Sequence, residues 1–223
     1  MSARRTFVIA ILVAAFGALA ISTPSEARIR NRRPSREPAR ENFNQGGFQL
    51  YAGLGGQGYE IEDNDYAFLD DRGSEGMFFL GAAVGLSNDV SLFLEGAGSQ
   101  HQTDIGDVIF GYTHIGLKVA PTAGTGRSWQ PYGKISAGGM FLLEDDQSNG
   151  SWHHHDRNGY TGPSVALTLG IDKFLSRHAA LYGEFGAMMG RLETRVIDGQ
   201  DHELAHNVGV TSARLQFGIR VRL

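Results

Sequence analysis

The sequence of 223 residues contains no cysteine, only two tryptophans and only six prolines. Without cysteine there are no disulfides, no thiolate nucleophiles and no cysteine metal sites. Past the first 27 residues there is also no apolar run of the ~20 residues that a membrane-spanning helix requires. If this chain crosses a membrane it must do so as a closed β-barrel, because only helices and closed barrels satisfy every backbone group in lipid. What the sequence has in quantity is glycine, 31 residues, spread through strand-like segments as well as turns.

The N-terminus reads as a targeting segment. Arg4 and Arg5 precede an apolar run from Thr6 to Ile21, Pro24 follows, and Ser25-Glu26-Ala27 offers small residues where a signal peptidase reads them. Residues 1–27 are therefore expected to be a cleaved signal peptide, with Ala18-Leu19-Ala20 as a second site of the same pattern. An uncleaved anchor would need a slightly longer run. Residues 28–46 read as an Arg-rich, disordered periplasmic leader. Between residues 28 and 44, six arginines stand against two glutamates, a net of +4. From Gln45 onward, 12 basic and 21 acidic residues give a net of −9. The leader has two readings, a solvated spacer or a segment drawn to anionic headgroups or cell-wall polymer.

Eight strands are expected in residues 47–223: Gly47–Ile61, Gly76–Leu86, Val90–Ser99, Asp107–Ala120, Trp129–Leu143, Tyr160–Lys173, Ala179–Glu193 and Val208–Leu223. Each reaches the 9–11 residues that a tilted strand needs to cross hydrocarbon, to within a residue or two. Three connections, Ser87–Asp89, Pro121–Ser128 and Phe174–His178, are comparatively short. Three others, Glu62–Glu75, Glu144–Gly159 and Thr194–Asn207, are longer and polar, and Gln100–Gly106 is a shorter member of that set. Short periplasmic turns opposite longer outer loops are the mark of a transmembrane barrel.

Period-two alternation supports this fold class: an all-β, eight-stranded, antiparallel, up-and-down transmembrane β-barrel. In the last strand Ala213, Leu215, Phe217, Ile219, Val221 and Leu223 share one face; Arg214, Gln216, Gly218, Arg220 and Arg222 share the other. Arginine on the lipid face near mid-membrane costs about 2–4 kcal/mol, so the arginine row must face the lumen or the interface. The same parity sends Glu95, Lys118, Lys134, Asp172 and Glu184 inward. Both signs are present, so the lumen is expected to be filled by paired charges; a narrow pore is the alternative. A soluble, lipocalin-like barrel would alternate equally well with the apolar row inward. The apolar last strand, the lack of a flanking helix and the one-sided loops favour the membrane form.

The segments GFQLYAGLGGQGYE, WQPYGKISAGG, LYGEFGAMMG and the terminal ARLQFGIRVRL resemble the small outer-membrane barrel families, the OmpA-like and opacity-type proteins, over about Gly47 to Leu223. The resemblance implies an outer-membrane location in a Gram-negative envelope and roles from envelope integrity to adhesion. It also implies outer-membrane lipid and lipopolysaccharide as surroundings, the barrel-assembly machinery as a partner during insertion, and porin-like relatives. The ending looks like the family's insertion signal, although Leu223 stands where an aromatic is usual. An extracellular ligand or host surface is left open, and no nucleic-acid partner is expected.

Several motifs invite an enzymatic or metal-binding reading. His202-Glu203-Leu204-Ala205-His206 spells the H-E-x-x-H zinc motif, which needs a helix and a third ligand. No His, Asp or Glu follows His206, so the expectation is a loop leading into the last strand. His153-His154-His155-Asp156, with His101 and the pair His202/His206 on the same side, could gather Zn²⁺ or Cu²⁺, or titrate near neutrality; a solvated polar loop is the expected reading. Asp63, Asp65, Asp70, Asp71, Asp145 and Asp146 could hold divalent cations against lipopolysaccharide phosphates, or simply solubilise their loops. Gly53-x-Gly55-x-x-Gly58 matches a dinucleotide fingerprint in spelling, but no helix is expected after it. No histidine has a serine two residues later, which removes the His-x-Ser pair of barrel acyl hydrolases. The sequence therefore assigns no catalytic, cofactor-binding or metal residue, and no enzymatic activity is expected.

Overall fold

The computed structural model describes residues 47–61, 74–103, 106–121, 128–145, 158–176, 178–197 and 200–223. They form eight strands: β1 (Phe48–Ile61), β2 (Ser74–Gly85), β3 (Val90–Thr103), β4 (Gly106–Val119), β5 (Trp129–Asp145), β6 (Asn158–Phe174), β7 (Ala179–Ile197) and β8 (Gln200–Arg222). Every strand pairs antiparallel with its neighbours in sequence, and β1 pairs with β8 to close the barrel. Closure leaves no free edge through the wall, which is what a bilayer demands of a sheet. The shortest strand has 12 residues, enough to cross the hydrocarbon when tilted.

The alternation of each strand resolves in one sense. Leu54, Phe78, Leu94, Ile115, Ile135, Val165, Phe185 and Phe217 are all at least 46% exposed and look outward from eight successive strands. The charged and polar partners of the same strands are buried in the lumen. This overturns the soluble-barrel alternative, in which the apolar row would face in. A closed barrel with an apolar belt outside and charges inside is a membrane-spanning barrel, because water cannot solvate that belt and lipid can.

At the end where β1 begins and β8 ends, two hairpin turns share one design. In Leu86-Ser87-Asn88-Asp89 the amides of Leu86 and Ser87 donate to the Val90 carbonyl, and Ser87 Oγ accepts from the amides of Asp89 and Val90. After β6, Leu175 and Ser176 donate to the Ala179 carbonyl, and Ser176 Oγ accepts from His178 and Ala179. A Leu-Ser start thus caps both turns, through the usual local bonding of a serine hydroxyl.

At the opposite end two expected loops are strands. His101, Gln102 and Thr103 pair with Val108, Asp107 and Gly106, so β3 and β4 run on where a loop of seven residues was expected. Likewise Arg195 pairs with His202 and Ile197 with Gln200, which turns most of the expected Thr194–Asn207 loop into a β7–β8 ribbon. Polar composition hid both extensions. Above the hydrocarbon an outward side chain meets water, so a strand can continue there without an apolar row. Thr194, Val196 and Ile197 favour that conformation, and the sequence between the two strands is Asp198-Gly199, a strong hairpin pair. Of the other two long connections, Ser74 and Glu75 belong to β2, Glu144 and Asp145 to β5, and Asn158 and Gly159 to β6, while residues 62–73 and 146–157, the leader and the signal segment lie outside the described residues.

Candidate functional site

The interior is layered along the barrel. Nearest the two described turns, Lys118 on β4 donates to Asp172 Oδ2 on β6 at 2.6 Å, and Arg220 on β8 reaches both oxygens of Asp172 at 2.5 Å. One layer further in, Lys134 on β5 lies 2.7 Å from Glu95 Oε2 on β3 and 3.0 Å from Glu184 Oε2 on β7. Tyr132 donates to Glu184 Oε1 at 2.6 Å, Gln216 donates to Glu184 Oε2, and Arg220 lies 3.7 Å from Glu184. Above that, Tyr112 donates to Glu95 Oε1 at 3.0 Å, with Arg214 3.2 Å from the same oxygen. His114 joins Ser136 at 3.2 Å and Ser164 at 2.8 Å. Toward the ribbon end the lining turns aromatic and apolar, with Tyr59 stacked on Phe110 at 5.1 Å and packed edge-on against His101.

All seven charged residues placed in the lumen by parity are there, each no more than 4% exposed. They come from six different strands, so no local segment shows them as a group. Cations also sit over tyrosine faces: Lys118 lies 3.9 Å from the Tyr132 ring centroid, and Arg220 lies 4.8 Å from that of Tyr182. Such contacts add attraction for charges that have lost their water. Sequence reasoning does not single out the tyrosines as a set, although Tyr112, Tyr132 and Tyr182 share parity with His114, Lys134 and Glu184. That shared parity was the available signal.

Room for the rings comes from glycine. Gly170 on β6 faces the lumen beside Tyr132, and a Cβ there would overlap the Tyr132 ring. Alanine at 170 is expected to displace Tyr132 from Glu184 and to cost about 1–3 kcal/mol, as overpacking generally does. Urea unfolding of the variant against the unmodified barrel measures this; an unchanged midpoint would show that the ring has space to spare.

The motif residues fare differently. His202 and Glu203 lie on β8 opposite Arg195 and Thr194, and the pairing next resumes at Val208 opposite Leu192. Residues 204–207 therefore stand against Glu193 alone, as a bulge. The expected loop is thus corrected to strand and bulge. Two histidines four residues apart share a face on a helix, but in this bulged strand they cannot form the zinc-protease face. Exposed His202 and His206 are also apart from His101, which lies on β3 rather than in a loop, only 1% exposed, with its Nε2 2.8 Å from Ser99 Oγ. Among the described residues no group of three or more His, Cys, Asp or Glu is placed to hold a metal. Residues His153–Asp156 and the acidic residues Asp63, Asp65, Asp70, Asp71 and Asp146 lie outside the described residues, while Asp145 ends β5. Gly53, Gly55 and Gly58 all lie on β1, which continues as strand to Ile61 where a dinucleotide fingerprint would turn into a helix.

The fold is that of the small eight-stranded outer-membrane β-barrels. Neisserial surface protein A matches with a TM-score of 0.54 at 11% identity, over 78% of this chain and 97% of that one. OprG, an outer-membrane protein of Pseudomonas aeruginosa, matches at 15% identity with a TM-score of 0.49, over 82% of this chain and 98% of that one. No protein-family model matches the sequence, and no curated protein matches it. The apolar belt and this shared fold agree with the expected outer-membrane location.

Proposed function

We propose that this protein is a non-enzymatic outer-membrane barrel with a structural or surface-interaction role, its lumen closed to solutes by its own charged side chains. The observation that carries this reading is the Lys134–Glu95–Glu184 cluster with Lys118, Asp172 and Arg220. These ion pairs join opposite and adjacent walls across an interior that, at eight strands, is only wide enough for side chains to fill. Buried ion pairs are poor sources of stability compared with apolar packing. They do fill a lumen whose walls are already committed to outward apolar rows.

In this reading residues 1–27 are removed on export, residues 28–46 form the periplasmic leader, and the barrel-assembly machinery inserts residues 47–223. The ribbon end carries the extended β7–β8 strands, with exposed Asp201, His202, Glu203 and His206 presented to the exterior. Lipopolysaccharide and an extracellular ligand are the partners this surface would meet.

Planar-bilayer recording of the purified barrel tests the closed lumen. The expected result is a membrane conductance no higher than that of protein-free controls. Steady single-channel steps from the unmodified protein, changed in size or ion selectivity when Lys134 and Arg220 are varied, would establish the narrow-pore alternative instead.

A further inference from the structure

We propose that the lumen holds one small monovalent anion, of halide size, beside Arg214. Among the described residues the buried charged side chains are four cations, Lys118, Lys134, Arg214 and Arg220, and three carboxylates, Glu95, Asp172 and Glu184. Counted at their ordinary charges, four cations against three carboxylates leave one positive charge in excess, and the inference rests on the reading above in which side chains close the lumen. An uncompensated charge in such a medium is costly unless a counter-ion accompanies it.

The contacts show which cation is short of a partner. Lys118 is bound to Asp172, Lys134 to both Glu95 and Glu184, and Arg220 to Asp172 and Glu184. Among the carboxylates Arg214 meets only Glu95 Oε1, at 3.2 Å, an oxygen that already accepts from Tyr112, and its guanidinium lies 4.5 Å from the Tyr112 ring centroid. The other Glu95 oxygen holds Lys134. Arg214 Nη2 further donates to Thr168 Oγ1 at 3.2 Å. Its Nε and Nη1, both buried, have no hydrogen-bond partner among the described residues. Two donors of a permanently charged guanidinium are therefore left for a ligand that accepts, and the excess charge makes an anion the fitting one.

On the neighbouring strand Gly186 packs closely against this group: a Cβ there would lie 2.8 Å from Thr168 Oγ1, 3.0 Å from Arg214 Nε and 3.3 Å from the Leu167 carbonyl oxygen, so that side of the guanidinium is closed and the ion would sit on the side of Gln57. Gln57, directly cross-strand from Arg214, uses Nε2 to reach Ser212 Oγ at 2.9 Å, while its Oε1 has no partner among the described residues. Because a serine hydroxyl can donate as well as accept, this amide can turn and offer its NH₂ group to the anion. The barrel interior excludes anything much larger.

Crystals of the purified barrel protein, grown with bromide as the only halide, test the site by anomalous scattering. The expected result is a bromide peak in the lumen within hydrogen-bonding reach of the Arg214 side chain. Density there without anomalous signal would mean that water satisfies Arg214, and would overturn the proposal. Bromide seen only on exposed groups would be an adventitious ion only, and would overturn it as well. Melting temperatures in chloride and in gluconate at equal ionic strength supply a second readout. A chloride-dependent rise is expected in the unmodified protein and should vanish in R214Q; an equal rise in both would overturn the proposal. If R214Q does not fold, the bromide measurement on the unmodified protein decides.

Discussion

Replacing Lys134 by methionine is expected to destabilise the folded barrel by about 3–5 kcal/mol, the usual cost of removing one partner from a buried ion pair. Lys134 is 2% exposed and is the cation between two carboxylates, at 2.7 Å from Glu95 and 3.0 Å from Glu184. Methionine preserves much of the side-chain volume, so packing changes little while both carboxylates lose their shared partner. Arg214 and Arg220 remain near them, which keeps the loss from growing beyond a single broken pair. Urea unfolding of barrels refolded into lipid vesicles measures the change. A double variant, K134M with E95Q, should recover part of the loss, because it removes one of the orphaned charges. If the single variant unfolds at the unmodified midpoint, the cluster does not tie the walls together across the lumen.

A charge placed on the outer face should do damage of similar size for the opposite reason. Phe217 on β8 is 59% exposed in the middle of the apolar belt, flanked in parity by Leu215 and Ile219. Arginine at 217 is expected to cost about 2–4 kcal/mol if that position lies near the bilayer midplane. Arginine at Leu223, at the end of the same row and the end of the strand, should cost only about 0–1 kcal/mol, because a long side chain there reaches the headgroups. The ratio between the two variants, read by the same unfolding measurement, maps the membrane onto the barrel. Equal small losses at both positions would mean that the belt does not sit in hydrocarbon.

The contrast between these substitutions rests on a feature already plain in the last strand. Arg214 and Arg220 alternate with Leu215, Phe217 and Ile219, and every one of them faces the side that parity assigns. The number of strands and their antiparallel order were legible as well, since the period of two and the short turns recur throughout residues 47–223. Less legible were the ends. Beyond the hydrocarbon the outer face can be polar, so the pattern that marks a strand fades while the hydrogen-bonded pairing continues, as at Gln100–Thr103 and in the β7–β8 ribbon. The H-E-x-x-H spelling belongs to such a region, where only the pairing with Arg195 and Thr194 shows that it is strand and bulge rather than loop.

By itself the sequence determined which side chains share a face, because direction in a strand depends only on parity; the closed barrel decided that the charged face is the lumen. It did not determine who meets whom there. Lys134 pairs with Glu95 and Glu184, and Arg214 keeps two donors without a partner among the described residues, because strand register and barrel closure set the height of each residue around the ring. Those are relations between residues far apart in the chain, 52 positions for Tyr132 and Glu184, and no local pattern carries them.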